Sequence, residues 1–446
     1  MKTLLVIGYV WPEPNSSAAG SRMLQLLNTF LQQGYQITYA SPAQESEHAV
    51  VLSNLNITSA HIEVNDSSFD DFIIQLQPDL VLFDRFMMEE QFAWRVEKQC
   101  PNALRILDTE DLHCLRFARQ KMAKTQPNTV ISTVNNDTLY SEQAKREIAA
   151  ILRCDLSIMI SEYEMRLLQE RFNVPESILI YIPFMLPPMD NPTFKPFTDR
   201  MHFVSIGNFR HEPNWDAVLC LKQHIWPLIR KKMPKAQLHI YGAYPPKKAT
   251  QFHNEQQGFL VKGWVDDAKA MLCNAKVLLS PLRFGAGLKG KFIDAAECGL
   301  PSVTTSVGRE GLFLNDSLLS GNLVNNSLIN QSMTNEAINK IIGDNTETLL
   351  SNDDFNQFAE LAIELYNNEA LWSHLQQNGP NWINQRFSES KYQHQLISRI
   401  DKISQTLTTH RQNNFLGSML LHHSMKSTQY MSQWIEAKNQ LIKPPQ

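Results

Sequence analysis

The segment Phe284–Pro301 contains the residues whose types and spacing best suit phosphate binding. It reads FGAGLKGKFIDAAECGLP and follows an apolar stretch typical of a buried strand. Glycines between a strand and a helix let backbone N–H groups approach a phosphate, and Lys289 and Lys291 stand where the helix should begin. Lysines at a helix N-terminus oppose its dipole, and a bound anion would offset that cost. The segment predicts a phosphate site, with Asp294 one turn later as a hydrogen-bond acceptor for a ribose. A tight turn with solvated lysines is the alternative.

A second motif, Ser205–Ala217, has the same strand–loop–helix pattern and reads SIGNFRHEPNWDA. Gly207 ends the predicted strand, and Arg210 lies in the loop, where its planar guanidinium could bind a diphosphate. Asn214 is a candidate N-cap for the helix that follows. A surface arginine beside an ordinary cap would explain the same residues, so the motif carries weight only together with the first one.

A third region, Arg105–His113, follows a predicted strand of the first half. Because ligands of parallel sheets bind beyond the carboxyl ends of strands, Glu110 and His113 should face a cleft. Acidic residues that complement the dipole of a capped helix are the alternative. Asp84 and Arg85 follow the preceding strand, where acceptor binding and a solvated helix start explain them equally well.

Strands and helices that alternate along the chain would position these residues. Each half of the chain repeats a strand–helix–strand pattern, which predicts parallel sheets of the doubly wound α/β class. A proline-rich stretch separates the halves, and it reads as a linker because proline interrupts regular elements. The predicted strands are Thr3–Gly8, Gln36–Ala40, Asp79–Phe83, Ala103–Leu107 and Leu156–Ile160, followed by Met201–Ile206, Gln237–Tyr241, Phe259–Lys262 and Lys276–Ser280.

We therefore expect two Rossmann-like domains that face each other across a cleft. The N-terminal domain spans residues 1–185 and the linker residues 186–198. The C-terminal domain spans 199–387, and a helical tail spans 388–446. Ligand sites in such proteins lie in the cleft between the domains.

Composition narrows the classes of function. The chain has 446 residues and a formal net charge of −4, which disfavours nucleic acid as the main partner. Its six cysteines form no CxxC pair or zinc-type cluster, so we expect no metal site and a reduced, cytoplasmic protein. No apolar run approaches the ~20 residues of a spanning helix.

These strings together resemble glycosyltransferases of the GT-B fold, especially the retaining group called glycosyltransferase family 4. The similar strings are "PNSSAAGSRMLQLL", "GNFRHEPNWDAV", "HIYG", "GWVDD" and "LSPLRFGAGLKGKFIDAAECGLPSVTTSVGREGL". The resemblance implies transfer of a sugar from a nucleotide diphosphate sugar to an acceptor hydroxyl, with cationic side chains rather than a metal stabilising the leaving group. By analogy with the family, the acceptor would be a glycan or a lipid-linked glycan of surface polysaccharide or lipopolysaccharide assembly. The protein would then work in the cytoplasm, with contact to the inner face of the membrane as an option.

The resemblance also implies roles for individual residues. Arg210 and Lys291 would bind the donor's diphosphate and act in catalysis, Asp294 would hold the ribose, and backbone near Val265 would contact the base. In the third region, the family places a His or His-Asp pair near the donor sugar or the acceptor. Which of Asp108, Glu110, Asp111 and His113 corresponds to it stays open, and we take Glu110 and His113 as the catalytic candidates. The further donor-binding candidates are Gly20, Gly207, Gly285, Gly287, Leu288 and Lys289.

One departure from the family concerns a carboxylate beside the donor sugar. Many members carry two glutamates seven residues apart, and here the two positions are Ala286 and Asp294. Loss of the first glutamate leaves a non-catalytic nucleotide-sugar-binding protein as the alternative. A Rossmann oxidoreductase is disfavoured because no GxGxxG loop follows Gly8.

Overall fold

The computed structural model describes residues 2–313 and 348–442. The described residues form two wholly parallel sheets, one with seven strands and one with six. Their strand orders are β3-β2-β1-β4-β5-β6-β7 and β10-β9-β8-β11-β12-β13. The predicted doubly wound, two-domain GT-B architecture is therefore confirmed.

The strands match the predicted positions to within one or two residues, and the first sheet gains one strand at each edge. The seven strands are β1 (Thr3–Ile7), β2 (Gln36–Ser41), β3 (Thr58–His61), β4 (Leu80–Asp84), β5 (Leu104–Asp108), β6 (Leu156–Met159) and β7 (Leu179–Tyr181). The six are β8 (Met201–Ile206), β9 (Leu238–Tyr241), β10 (Phe259–Gly263), β11 (Ala275–Ser280), β12 (Ser302–Thr304) and β13 (Leu349–Ser351).

Helices cover both faces of each sheet. Those of the first half are α1 (Ala18–Gln32), α2 (Ser68–Leu76), α3 (Phe86–Gln99), α4 (His113–Thr125), α5 (Asn136–Leu139), α6 (Glu142–Arg153) and α7 (Glu162–Phe172). Next come α8 (Glu212–Cys220), α9 (Trp226–Lys232), α10 (Lys247–Thr250), α11 (Ala268–Asn274), α12 (Gly290–Glu297) and α13 (Ser306–Arg309). The last are α14 (Phe355–Asn367), α15 (Glu369–Arg386), α16 (Glu389–Gln405), α17 (Leu407–Asn413) and α18 (Phe415–Ile442).

The helical tail packs on the N-terminal domain. The apolar face of α16, including Leu396 and Ile400, is buried in the same core as β1, β4 and β5. Helix α18 lies on α3 and α6, where Met425 is buried. The Arg411 guanidinium donates to the carboxylate of Asp155 at 2.8 Å and fixes α17 at the base of the sheet. The tail thus returns to the first domain instead of extending from the second.

The chain passes between the two domains twice, and the two connecting segments are hydrogen-bonded to each other. The Leu186 N–H donates to the Phe387 carbonyl at 2.7 Å, and the Glu389 N–H donates to the Leu186 carbonyl at 3.0 Å. The predicted linker therefore pairs with the segment that leads back into the tail. Paired crossings of this kind are the places where two domains can hinge.

One predicted region lies largely outside the described residues, and one predicted helix begins at a different residue. The loop-and-helix region predicted for residues 315–356 lies largely outside the described part of the chain. The helix predicted from Trp215 to Lys232 begins earlier, at Glu212, and a π-helical turn at 221–225 divides it into α8 and α9. None of the described helices has the length and hydropathy to span a bilayer.

Candidate active site

The carboxyl ends of both sheets meet across a narrow cleft, and the motifs of the two domains line it. A Cβ added to Gly290, at the start of α12, would lie 2.7 Å from the Cβ of Ala18 at the start of α1. A Cβ added to Gly287 would lie 2.9 Å from the Cβ of Asp111, and Gly287 has φ of +65°, which favours glycine. Glycine is thus required here because the backbone approaches the opposite domain closely.

Lys291 is the half-buried cation of the donor side. Its ammonium donates to Asn214 Oδ1 at 2.8 Å and to Ser280 Oγ at 3.3 Å, and both acceptors are neutral. Burial lowers the pKa of Lys291 to about 7. A desolvated, half-buried lysine without a counterion, next to two helix N-termini, provides an environment that favours an anionic ligand.

Asn214 therefore has a different role from the one predicted. Helix α8 begins at Glu212 with His211 as its N-cap, so the N-cap prediction for Asn214 is wrong. The Asn214 amide donates to the Asn208 carbonyl at 3.0 Å while its oxygen accepts from Lys291. A Cβ at Gly207 would lie 2.6 Å from the Asn214 side chain, which explains the glycine at the end of β8.

Arg210 lies in the exposed turn between β8 and α8, as predicted. Its guanidinium carbon stacks 3.6 Å from the centre of the Tyr244 ring. The Tyr244 hydroxyl donates to Glu13 of the N-terminal domain at 3.3 Å. Arg210 is therefore held at the cleft by a residue that contacts both domains, with its donors on the solvent side.

The N-terminal domain holds the glycine-rich loop through its backbone. The Arg119 guanidinium donates to the Gly285 carbonyl at 2.8 Å, and the Gly287 N–H donates to the Glu164 carboxyl at 2.6 Å. The Gly287 N–H is thus already bonded and is not available to a phosphate in this arrangement. Leu288 is buried in the core between the domains.

Lys289 supports this loop instead of facing open cleft. Its buried ammonium donates to the Gly287 carbonyl at 2.8 Å and lies 4.0 Å from the Glu310 carboxylate. Burial lowers its pKa. Glu310 in turn accepts from Arg119 at 2.6 Å, and all three charged side chains are buried. In this arrangement Lys289 positions the loop, and its predicted contact with the donor stays a prediction.

The acceptor side of the cleft carries a cluster around His113, the first residue of α4. Its Nε2 lies 3.3 Å from Asp111, which also pairs with Arg116. Burial lowers the pKa of His113 to about 4, so the imidazole is neutral near pH 7. Desolvation and the Arg116 guanidinium also lower the pKa of His211, the residue before α8.

Glu110 lies at the end of the β5 loop in a strained conformation, with φ of +60°. Burial and the neighbouring Asp108 raise its pKa well above the usual carboxyl range. Burial also raises the pKa of Asp108 to about 6, although Arg22 lies 3.3 Å away. Burial thus favours the protonated form of Glu110, and its predicted catalytic role stays a prediction.

The remaining predicted residues lie at the ends of the cleft. Asp294 is exposed on α12, where desolvation by the surrounding protein and the Glu297 carboxylate raise its pKa to about 7. Val265 follows β10, next to Trp264, whose ring stacks 4.1 Å from that of His48 in the N-terminal domain. The Gly20 N–H donates to the Ser17 hydroxyl at 3.1 Å and so caps α1.

Sequence reasoning missed Arg119, Glu310 and His211 as parts of the site. Arg119 and Glu310 are 191 residues apart, and no local pattern connects them. The sequence indicated Glu164 only as part of a helix start. That interpretation holds for its backbone, because the Ser161 hydroxyl accepts from the Glu164 N–H and so caps α7. Among the described residues, no group of three His, Cys, Asp or Glu is arranged to hold a metal ion.

Comparison with known proteins gives a family for the C-terminal domain. Residues 200–342 match the family model described as Glycosyl transferases group 1. No curated protein matches the chain. The matched residues include β8 to β12 and the strand–helix junctions that carry Arg210 and Lys291.

Solved structures resemble the chain over most of its length. Sucrose-phosphate synthase from Thermosynechococcus elongatus has a TM-score of 0.62 at 14% identity, covering 90% of this chain and 99% of its own. HepE of Anabaena, in complex with UDP and glucose, has a TM-score of 0.62 at 8% identity, with 90% and 100% covered. A mutant of S. aureus TarM, in complex with Fondaparinux, alpha-GlcNAc-glycerol and UDP, has a TM-score of 0.62 at 11% identity, with 90% and 99% covered.

At these identities the structural likeness establishes the fold, while the family match concerns the donor-side domain. Both agree with the resemblance that the sequence motifs carry. The chain is a sugar-transferring enzyme of the GT-B fold, and its C-terminal domain is similar to the glycosyl transferases of group 1.

Proposed function

We propose that this enzyme transfers a sugar from a nucleotide diphosphate sugar to an acceptor hydroxyl, with Lys291 and Arg210 binding the diphosphate. The observation that carries the proposal is the half-buried Lys291 ammonium, which has only neutral hydrogen-bond acceptors. Helices α8 and α12 begin beside it, and helix N-termini favour anions. HepE of Anabaena, a similar structure, was solved in complex with UDP and glucose and with UDP-glucose, which supports a nucleotide donor.

In the proposed reaction, the bond between the sugar's anomeric carbon and the diphosphate oxygen breaks, and a bond to the acceptor oxygen forms. Negative charge develops on the departing diphosphate, and fixed cations stabilise that charge most in a site from which water is excluded. Lys291 and Arg210 would supply this stabilisation without a metal ion. The proton of the acceptor hydroxyl would pass to the departing phosphate oxygen, which is consistent with the retention that the family resemblance implies.

Residues of the N-terminal domain would orient the sugar and the acceptor. The neutral imidazole of His113 can exchange hydrogen bonds with a sugar hydroxyl, and the Glu110 carboxyl can form another. Asp294 and the backbone at Val265 would contact the ribose and the base at the outer end of the cleft. Gly20, at the start of α1, would lie on the opposite wall.

We place the reaction in the assembly of a surface polysaccharide or lipopolysaccharide, on the cytoplasmic side of a membrane. One structure with the same fold, WaaG, is titled a glycosyltransferase involved in lipopolysaccharide biosynthesis, at 10% identity and a TM-score of 0.55. A glycan or lipid-linked acceptor fits this setting.

Donor turnover tests the proposed function. The chain is incubated with UDP-, GDP-, ADP- and dTDP-sugars, with and without a pool of glycosides, and release of nucleoside diphosphate is measured. We expect at least one donor to be consumed, slowly as hydrolysis and faster with an acceptor. Addition of EDTA should leave the rate unchanged if no metal takes part. Nucleotide binding without turnover for any donor and acceptor would favour the non-catalytic alternative.

A further inference from the structure

Arg85, at the carboxyl end of β4, has a backbone conformation that non-glycine residues rarely adopt. Its φ is +70° and its ψ is 157°, a region that is occupied almost only by glycine. The Arg85 N–H donates to the Asp108 carbonyl at 2.8 Å and so fixes this geometry between β4 and β5. Strain of this kind persists where the side chain has a function at that place.

The guanidinium of Arg85 is half-buried and has few partners for its N–H donors. Only 18% of the side chain is exposed, and its closest charge contact is Asp84, at 3.8 Å from Nε. Within the described part of the chain, its guanidinium makes no hydrogen bond. Buried Arg105 is similar, since its Nε lies 3.8 Å from Asp155 and makes no hydrogen bond. Six further buried or half-buried arginines donate to carboxylates or carbonyls: Arg22, Arg119, Arg153, Arg200, Arg283 and Arg386.

Arg85 lies on the acceptor side of the cleft. Its guanidinium carbon is 5.2 Å from the centre of the Tyr9 ring, and Tyr9 is 42% exposed. The charge of Arg85 contributes to the lowered pKa values of both His113 and His211. It also precedes α3, a helix of 14 residues whose N-terminus favours anions.

Charges around Arg85 do not occupy its donors. Three acidic groups raise its pKa, namely Asp84, Glu110 and Asp111. Of these, Asp84 also accepts from the Tyr9 N–H at 3.1 Å, and Asp111 pairs with Arg116. Burial raises the pKa of Glu110, which weakens its tendency to carry a negative charge. A bidentate anion could therefore bind the free edge of the guanidinium.

We propose that Arg85 and Tyr9 form an acceptor subsite that recognises an anionic group on an acceptor sugar. The planar guanidinium would bind a carboxylate or a phosphate in a forked pair of hydrogen bonds, and the exposed Tyr9 ring would stack against the sugar. This inference rests on the proposed function, because an acceptor subsite has meaning only in a transferase. It assigns the ligand class to the acceptor and leaves the donor diphosphate to Lys291 and Arg210.

Binding of small anionic probes tests this subsite directly. The probes are methyl β-D-glucuronide, which carries a carboxylate, glycerol 3-phosphate, and the neutral methyl β-D-glucoside. Calorimetric titrations are made with a saturating nucleoside diphosphate that fills the donor site. The variants are Arg85→Gly and Arg85→Lys, with Arg146→Met as the control, since Arg146 is exposed and pairs with Glu90 on the outer surface.

We expect at least one anionic probe to bind the wild type and Arg146→Met equally and to bind Arg85→Gly at least about tenfold more weakly. Arg85→Lys should bind with intermediate affinity, because it keeps the charge and loses the fork. If methyl β-D-glucuronide loses more affinity in Arg85→Gly, the recognised group is a carboxylate. If glycerol 3-phosphate loses more, it is a phosphate. The thermal midpoint of Arg85→Gly should equal or exceed that of the wild type, because glycine relieves the backbone strain.

Three outcomes would overturn the subsite. They are unchanged affinity of Arg85→Gly, absence of binding of either anionic probe to the wild type, and weaker nucleotide binding in Arg85→Gly, which would place the arginine in the donor site. Donor turnover by the wild type, measured separately, shows whether the proposed function itself holds.

Discussion

At the scale of single residues, Lys291 shows how function conflicts with stability. The unfolded chain exposes a lysine with a pKa near 10.5, whereas burial lowers the pKa of Lys291 to about 7. Between those values the unfolded state binds more protons than the folded state, so this residue's contribution to stability rises with pH. Below pH 7 the whole cost of burying the charge is present.

Replacement of Lys291 by Met should therefore stabilise the protein without ligand. We expect Lys291→Met to raise the thermal midpoint by about 2 °C or more at pH 6.5, because methionine fills similar volume without a charge. The gain should shrink as pH approaches 10. Scanning calorimetry at several pH values measures this trend, and a variant that is less stable than wild type at pH 6.5 would contradict it.

Residue identities were predicted better than residue partners. Arg210, Lys291 and Asp294 lie at the predicted strand–helix junctions because a glycine, a cation and a helix start occur together in the sequence. The pairing of Lys291 with Asn214 spans 77 residues and depends on how α8 and α12 are placed by neighbouring strands. Local capping rules therefore predicted Asn214 as the N-cap, whereas the helix begins at Glu212 and its N-cap is His211.

At the scale of elements, helix α7 of the N-terminal domain supports the donor loop through Glu164. This carboxyl accepts from the Gly287 N–H at 2.6 Å and from the Leu112 N–H at 3.3 Å. Burial raises its pKa to about 8, so it is mostly protonated at pH 7. Its role is that of a neutral acceptor, which makes glutamine a close substitute.

Glu164→Gln and Glu164→Leu should consequently differ. Glutamine keeps an acceptor oxygen, and we expect a thermal midpoint close to that of the wild type at pH 7. Leucine strands two buried N–H groups at a cost of about 1–3 kcal/mol each, so its midpoint should fall by several degrees. Differential scanning fluorimetry of the three proteins decides the matter. Equal midpoints for both variants would show that the loop does not depend on this hydrogen bond.

Element boundaries were predictable where periodicity was strong. Buried parallel strands appear as short apolar runs, and the strands from β1 to β11 that were predicted lie within one or two residues of their positions. Edge strands such as β3, with sequence TSAH, lack that signal because half-exposed edges accept polar residues. The π-helical turn before Trp226 likewise has no local signature in the sequence.

At the scale of the whole molecule, Arg119 and Glu310 hold the two domains together. The pair is buried at 2.6 Å, and the Arg119 guanidinium also donates to the Ser132 and Gly285 carbonyls. Removal of one partner from a buried ion pair leaves an unpaired charge, which costs about 3–5 kcal/mol. The pair therefore favours a closed cleft over an open one.

Arg119→Met should open the molecule and destabilise it. We expect a thermal midpoint about 6 °C or more below the wild type and a larger radius of gyration in small-angle X-ray scattering. Arg146→Met is the matched control, because its pair with Glu90 is exposed and contributes less than about 1 kcal/mol. Equal effects of the two variants on midpoint and radius would refute the closing role.

The packing of the helical tail on the N-terminal domain could not be predicted from the sequence. The amphipathic pattern of α16 predicts a buried face but does not indicate the surface that covers it. The contact depends on the crossing at Leu186 and Phe387, which directs the chain back across the hinge. Long-range placement of this kind follows from the fold as a whole.

Thermal shift measurements give the most direct test of whether a nucleoside diphosphate binds at the Lys291 site. The wild type and Lys291→Met are melted with UDP, GDP, ADP and dTDP, each at a series of concentrations. We predict that at least one nucleotide raises the wild-type midpoint in a dose-dependent way and that the same nucleotide leaves the midpoint of Lys291→Met unchanged. A wild type that responds to none of them, or a variant that responds as strongly as the wild type, would contradict the account.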